Sequence, residues 1–303
     1  ILYWRTSGWR PTFSFDRPAG RELFAFGYYL TLTRVLTYIT RNVDNILIGK
    51  YVGAAPLGFY SRAYTLVLTP IVTTTQVIGQ VLFPALSRVQ TEQAYVRNLC
   101  VRAAGAIALV IYPSMLGLVV VAPDLVPVLL GERWMPMVPV LQVLSPTAMW
   151  ACLLTVFKSL YDSQGNTRLR FRVGLVADSV TLVGIVSGLP FGILGVAIGF
   201  LVGSLVGFFL HLWFSGRLVG LKYGPVFRRI GPVLFYAFLM AGVVAAVQNA
   251  LPREIPTGGR LLIEISVGVL VYAGCILAFR PVAFSDLRAA LAARRTKKSA
   301  GST

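Results

Sequence analysis

Eight long apolar segments divide the sequence, and they constrain the fold more than any other feature. Each has about 18 to 30 residues, enough for a helix to cross a hydrocarbon core of roughly 30 Å. Of the 303 residues, 56% are hydrophobic and 13% are charged, whereas soluble domains average about 25% charged residues. We therefore predict an all-α polytopic membrane protein with about eight transmembrane helices, at residues 23–46, 56–86, 97–122, 137–161, 171–190, 192–214, 230–250 and 261–280.

Basic residues concentrate in alternate loops between these segments. One side holds the basic residues of the first 22 positions, of positions 88–102, 168–172 and 217–229, and of the tail, whereas the other side holds little more than Lys50, Arg133, Arg253 and Arg260. This is the positive-inside pattern, so we predict that both termini of the chain are cytoplasmic. The net charge of +17 then reflects topology and attraction to anionic inner-leaflet lipid rather than binding to nucleic acid.

The first apolar segment carries a polar stripe. Thr31, Arg34, Tyr38, Arg41 and Asn45 recur at steps of three or four, which places them on one face of a helix. A charged arginine near the middle of a bilayer costs roughly 3 kcal/mol, so it is expected to face water or a counter-charge. We interpret the stripe as one wall of a transport cavity for an anionic substrate.

Other charged residues also lie at membrane depth. They are Asp44, Arg62 beside Tyr64, Lys158, Asp178 and Glu264. Together with the stripe they make a cationic excess, which would attract phosphate or uronic-acid groups because guanidinium groups match phosphate oxygens. Internal ion pairing would satisfy the same charges. For Asp44 and Asp178 the sequence leaves two roles open, protonation during ion-coupled transport and ion pairing.

Signals for catalysis are sparse. His211 is the single histidine of the chain, and we place it near the cytoplasmic interface. Nucleotide-binding, serine-hydrolase and zinc-protease motifs are lacking, so we predict no enzymatic activity, cofactor or metal site.

Residues 123–136 are too short to cross a membrane and predict an interfacial helix on the outer surface. Gly195, Gly199, Gly203 and Gly207 are spaced by four, which predicts close helix packing.

Four stretches carry a family resemblance. Residues 41–66 read RNVDNILIGKYVGAAPLGFYSRAYTL and residues 80–90 read QVLFPALSRVQ. Residues 129–146 read LLGERWMPMVPVLQVLSP, and residues 189–208 read LPFGILGVAIGFLVGSLVGF. Together they resemble the polysaccharide biosynthesis/export family, the Wzx-type flippases of lipid-linked oligosaccharides in the multidrug/oligosaccharidyl-lipid/polysaccharide exporter superfamily.

The resemblance implies a fold of two six-helix lobes around a central cavity. The chain would be a C-terminal fragment of such a protein. Its parts would be a cytoplasmic lead-in (1–22), a six-helix transmembrane lobe (23–222), two additional transmembrane helices (223–284) and a basic cytoplasmic tail (285–303).

The family's activity implies transfer of undecaprenyl-diphosphate-linked oligosaccharide from the cytoplasmic to the outer leaflet of the bacterial inner membrane, for lipopolysaccharide, exopolysaccharide or capsule synthesis. A polysaccharide polymerase and a chain-length regulator would be partners. Basic cavity residues would engage the diphosphate or acidic sugars, and Arg34, Arg41 and Arg62 best fit that role. The full predicted cavity set is Arg34, Tyr38, Arg41, Asn45, Arg62 and Tyr64.

Two alternatives stay open. A drug or cation antiporter of the same superfamily would need an acidic, aromatic-lined cavity, whereas the charge balance here runs the other way. A membrane-embedded glycosyltransferase or polymerase would need a large outer loop with catalytic carboxylates, whereas the predicted outer loops are short.

Overall fold

The computed structural model describes residues 16–88, 92–252 and 254–285. Regular structure within those ranges is helical, which confirms the all-α prediction. Two 3₁₀ helices, Glu132–Met137 and Leu189–Phe191, interrupt the α-helices. The α-helices are α1 (Arg17–Tyr51), α2 (Ala54–Arg88), α3 (Gln93–Leu130), α4 (Val138–Leu144), α5 (Thr147–Ser163), α6 (Thr167–Gly188), α7 (Gly192–Val219), α8 (Tyr223–Ala250) and α9 (Thr257–Phe279).

Every predicted apolar segment falls on helix, with two differences. The fourth segment is not one straight helix, because α4 and the 3₁₀ helix before it are bent by 44° from α5. Pro146, at the break, has no N–H to continue a helical ladder. The predicted separate helix at 123–136 is wrong, because α3 continues to Leu130. It ends only at Gly131, whose φ of 91° lies in the left-handed region that favours glycine.

Several of the helices are suited to a bilayer. By length and composition, four helical segments of the described residues can cross a membrane, and a fifth can if the bent pair is counted as one span. The four are Gln93–Leu130, Thr167–Val219, Tyr223–Ala250 and Thr257–Phe279. Helices α1 and α2, which are richer in polar residues, are not among them. The count of eight crossings, the domain boundaries and the orientation of the termini stay predictions, and the lead-in and tail fall largely outside the described residues.

The segment Thr167–Val219 folds back on itself as a hairpin of α6 and α7. A Cβ built on Gly199 would lie 2.0 Å from the carbonyl oxygen of Gly184, and one on Gly195 would lie 2.3 Å from the carbonyl oxygen of Gly188. Further along the hairpin, Gly203 approaches the Thr181 backbone in the same way. The glycines therefore let two backbones touch, as the spacing of the glycines predicted.

The helices form two groups. Helices α1, α2, α5, α6 and α7 surround a cavity, and α4 closes against α2 and α7. Helix α3 packs on α5 with one face, whereas α8 and α9 pack on α3 and on each other. The large side chains buried in the core include Tyr60, Phe157 and Tyr161.

Candidate functional site

A cavity of about 150 Å³ lies inside the helix bundle. This volume holds several water molecules, but it is below the roughly 300 to 1,000 Å³ of pockets for drug-sized ligands. The cavity therefore suits water or a small ion rather than an oligosaccharide. Its polar and aromatic lining consists of Thr37, Thr40, Tyr64, Thr147, Trp150, Lys158, Asp178, Thr181, Phe200, Ser204 and His211.

Three helices bring ionisable groups to this cavity. Lys158 comes from α5, Asp178 from α6 and His211 from α7. His211 is only 2% exposed, so its side chain is buried in the bundle, and its place near the cytoplasmic interface stays a prediction. Its Nδ1 has no hydrogen-bond partner among the described residues, and the Tyr161 hydroxyl donates to its backbone carbonyl at 3.2 Å. The cavity thus combines an amine, a carboxyl group and a buried imidazole.

Aromatic side chains form contacts between the helices of the cavity wall. The Trp150 indole N–H donates to the Ser204 hydroxyl oxygen at 3.1 Å and so joins α5 to α7. Tyr64 of α2 packs edge-on against Phe200 of α7, with ring centroids 6.1 Å apart. Such contacts hold the lining side chains in defined positions.

The predicted polar stripe of α1 lies elsewhere. Arg34 is exposed, and Tyr38 is 71% exposed. Asn45 is half-buried and accepts a hydrogen bond from the Ser61 hydroxyl at 3.0 Å. Arg41 lies on α1, but its side chain lies outside the described residues. Arg34 and Tyr38 therefore lie on an outer face of the bundle, and the described side chains of Arg34, Tyr38 and Asn45 do not line the inner cavity.

The two predicted residues of α2 point in different directions. Tyr64 lines the inner cavity, whereas Arg62 is exposed and its guanidinium lies 5.8 Å from the centre of the Trp134 ring. The structure therefore divides the predicted set into an outer group, with Arg34, Tyr38 and Arg62, and an inner group, with Tyr64.

The two predicted carboxylates also differ. Asp44 is 1% exposed, and its oxygens accept hydrogen bonds from the Tyr60 hydroxyl at 2.9 Å and from the Asn45 N–H at 2.8 Å. It therefore links α1 to α2 without lining the cavity. Asp178, by contrast, is one of the lining residues.

A family model described as "Polysaccharide biosynthesis protein" matches residues 1–139. Over 279 residues the chain is 27% identical to the teichuronic acid biosynthesis protein TuaB of Bacillus subtilis, covering 90% of this chain and 57% of TuaB. It is 26% identical to the lipopolysaccharide biosynthesis protein WzxC of Escherichia coli, covering 65% of this chain and 40% of WzxC. The chain is a relative of polysaccharide biosynthesis proteins. This confirms the resemblance to the polysaccharide biosynthesis/export family.

The fold is similar to that of a solved flippase. The structure of the lipid II flippase MurJ in an inward closed conformation aligns with a TM-score of 0.70 over 89% of this chain and 57% of MurJ, at 15% sequence identity. Identity at this level supports a shared fold alone. The chain spans about half the length of the relatives it matches.

Sequence reasoning missed part of the inner lining of this relative of the polysaccharide biosynthesis proteins. Thr33, Thr37, Thr40 and Asp44 form a second stripe on α1, with Thr33 and Asp44 buried and Thr37 and Thr40 on the cavity wall. Their spacing of four, three and four is as helical as that of the arginine stripe. This spacing could have predicted the second stripe. Asp44 is the only ionisable residue among the four, however, so charge did not distinguish this stripe from the one through Arg34.

Proposed function

We propose that the protein acts in lipid-linked oligosaccharide flipping, moving undecaprenyl-diphosphate-linked sugar units from the cytoplasmic to the outer leaflet of a bacterial inner membrane. The names of the relatives and the MurJ-like fold support this activity. The observation that carries the proposal is the arginine-bearing stripe of α1, because Arg34 is exposed on a helix that packs within the membrane bundle.

Exposure of this stripe to lipid tails would be costly. A guanidinium facing hydrocarbon costs roughly 3 kcal/mol, whereas one facing a hydrated cavity keeps its solvation. In this proposal Arg34, Tyr38 and Arg41 form one wall of a water-filled substrate cavity. The opposite wall would come from a region of the full-length protein that corresponds to the unmatched part of its longer relatives.

The cationic wall would lower the barrier for an anionic headgroup. The diphosphate would pair with guanidinium groups, while the polyprenyl chain stays in the lipid. Rocking of two lobes around the cavity would expose the headgroup to each side of the membrane in turn. No catalytic step is needed, and a polymerase and a chain-length regulator would use the product.

The inner cavity has a different role in this proposal. It is too small for a sugar unit, and Asp178 and Lys158 place both signs of charge in it. Asp178 is therefore our candidate for ion coupling. The hydrogen bonds that Asp44 accepts support a structural role for that carboxyl group.

A cation antiporter of the same superfamily is not favoured by the geometry. It would need an acidic wall on the substrate cavity, whereas the exposed stripe of α1 carries arginine.

Complementation tests the proposal. The full-length gene would be expressed in strains that lack their own oligosaccharide flippase, with Arg34→Ala, Arg41→Ala and a matched control, Arg133→Ala. Arg133 is exposed on the 3₁₀ helix Glu132–Met137 and is not part of the stripe; its guanidinium lies 5.6 Å from the centre of the Trp134 ring. Surface polysaccharide, the pool of lipid-linked sugar and protein abundance in the membrane would be measured.

We expect wild type and the Arg133 variant to restore surface polysaccharide. Loss of one charge-assisted contact costs about 1.5–3 kcal/mol, which corresponds to a roughly 10- to 150-fold slower step. The stripe variants should therefore accumulate lipid-linked sugar at normal protein levels. Full rescue by the stripe variants would refute the cavity wall, and failure of wild type across strains with chemically different glycans would refute the activity.

A further inference from the structure

Four polar side chains meet where α3, α8 and α9 pack together. Asp124 comes from α3, Gln248 from α8, and Arg260 and Glu264 from α9. Glu264 is 0% exposed, and neither of its carboxyl oxygens has a hydrogen-bond partner among the described residues. A fully buried carboxyl group without partners is rare in folded proteins.

The two donors of this cluster, Gln248 and Arg260, both contact Asp124 and both also interact with Glu264. The Gln248 side-chain amide lies 3.5 Å from Asp124 Oδ2 and 3.4 Å from the Val120 carbonyl oxygen. The Arg260 Nε lies 3.7 Å from Asp124 Oδ2, and its Nη2 donates to the Gln248 backbone carbonyl at 3.5 Å. Glu264 interacts with the Asp124 carboxyl and lies in the field of Arg260.

The charges do not balance if both carboxyl groups are ionised. Two carboxylates would then face one guanidinium in a site without exposed surface on Glu264, and each unpaired buried charge costs several kcal/mol. A proton between the carboxyl groups removes one charge and gives a buried oxygen of Glu264 a partner. Carboxyl groups that face each other in this way titrate as a pair.

We propose that Asp124 and Glu264 share one proton and so form a proton-binding site at the junction of α3, α8 and α9. The charged and titratable groups facing Glu264 in the described residues are Asp124 and Arg260. A metal cation fits less well, since hard cations need several oxygen ligands and Arg260 already places a positive charge beside Asp124.

The site has a consequence for its surroundings. Glu264 also lies on the wall of a mainly apolar groove of about 710 Å³ between α3, α8 and α9, together with Val121 and Gly268. The shared proton keeps this wall neutral. Loss of the proton places a second negative charge between α9 and α3. The repulsion between the two buried carboxylates, Asp124 and Glu264, then loosens the packing of α9.

Infrared difference spectroscopy tests the proposal. Full-length protein in lipid nanodiscs would be titrated from alkaline to acidic pH, and the C=O stretch of protonated carboxyl groups followed with its deuterium shift. The variants would be Glu264→Gln, Asp124→Asn and a control, Glu132→Gln, whose carboxylate is exposed on a 3₁₀ helix. Hydrogen exchange of α9 would be measured on wild type and Glu264→Gln over the same pH range.

Near neutral pH, where exposed carboxyl groups are ionised, we expect a protonated-carboxyl band in wild type that is absent from both cluster variants and kept in the control. The protection factors of the α9 amides, which correct for the base catalysis of exchange, should fall with rising pH in wild type and stay constant in Glu264→Gln. If wild type shows no such band, or if the band survives both substitutions, the proposal is wrong. A carboxylate band that responds to sodium at constant pH would also overturn it in favour of a metal site. Absence of the band from wild type refutes the proposal even where a variant folds poorly, and the protection factors of α9 in wild type give a second readout that does not need the variants.

Discussion

Replacement of Gly199 by alanine should separate the α6–α7 hairpin. The added Cβ would lie 2.0 Å from the Gly184 carbonyl oxygen and 2.5 Å from its carbonyl carbon. Ordinary van der Waals contact begins at 3.4 Å, so the backbones must move apart by about 1.4 Å at this point. Both neighbours are backbone atoms, which cannot rotate away as a side chain can.

Overpacking of this kind typically costs 1–3 kcal/mol. We expect the upper part of that range, about 2–3 kcal/mol, because packing contacts are a main source of helix association in membranes. The matched control is Gly174→Ala on α6, since a Cβ there meets nothing within 4 Å. Alanine has the better helix propensity by about 1 kcal/mol, so the control should be neutral or slightly stabilised.

The measurement is the free energy of unfolding of the full-length protein in mixed micelles, with thermal stability in detergent as a second readout. Gly199→Ala should unfold at a clearly lower denaturant mole fraction than wild type, and Gly174→Ala should not. Equal stability of the two variants would refute the claim that the glycines set the distance between α6 and α7.

Four further substitutions, in three experiments, test individual contacts. Tyr60→Phe removes the hydroxyl that donates to buried Asp44 at 2.9 Å, so unfolding free energy should fall by about 1.5–3 kcal/mol; unchanged stability would mean that the pair contributes nothing. Asp162 and Arg170 form a half-buried ion pair. In a double-mutant cycle, the loss of unfolding free energy in the double variant Asp162→Asn/Arg170→Gln should be clearly smaller than the sum of the losses in the two single variants. Strict additivity would contradict the pairing. Tyr272→Phe removes a 2.8 Å hydrogen bond from α9 to a backbone carbonyl of α3 and should cost about 1 kcal/mol, with faster hydrogen exchange in α9 as the specific readout.

The helices followed from the sequence because long apolar runs leave the backbone few alternatives inside a membrane. The glycine spacing on α7 also predicted its close packing, and Gly199 shows why: a side chain there would meet backbone. The bend before α5 and the continuation of α3 to Leu130 were not predicted. Both depend on how neighbouring helices accommodate prolines, and a single amino-acid sequence does not reveal those contacts.

The site was harder to predict than the fold. Helix α1 carries two polar stripes, one through Arg34 and one through Thr37, and periodicity alone does not say which stripe faces the bundle. Charge drew attention to the first, whereas the structure places the second on the inner cavity. His211 shows the same limit, because its burial depends on contacts with α5 that are distant in sequence, such as the one with Tyr161.

The polar character of α1 also bears on how the protein enters the membrane. Partitioning from the translocon into lipid selects helices by their apolarity, and by length and composition α1 is not among the segments that can cross a membrane independently. Helix α1 packs on α6, which is synthesised much later, and its Asp44 accepts a hydrogen bond from the Tyr60 hydroxyl on α2. We therefore expect α1 to integrate after its partners emerge, so that the order of insertion differs from the order of translation. Mutations on α6 would then reduce the yield of inserted α1 even where they leave the finished protein active.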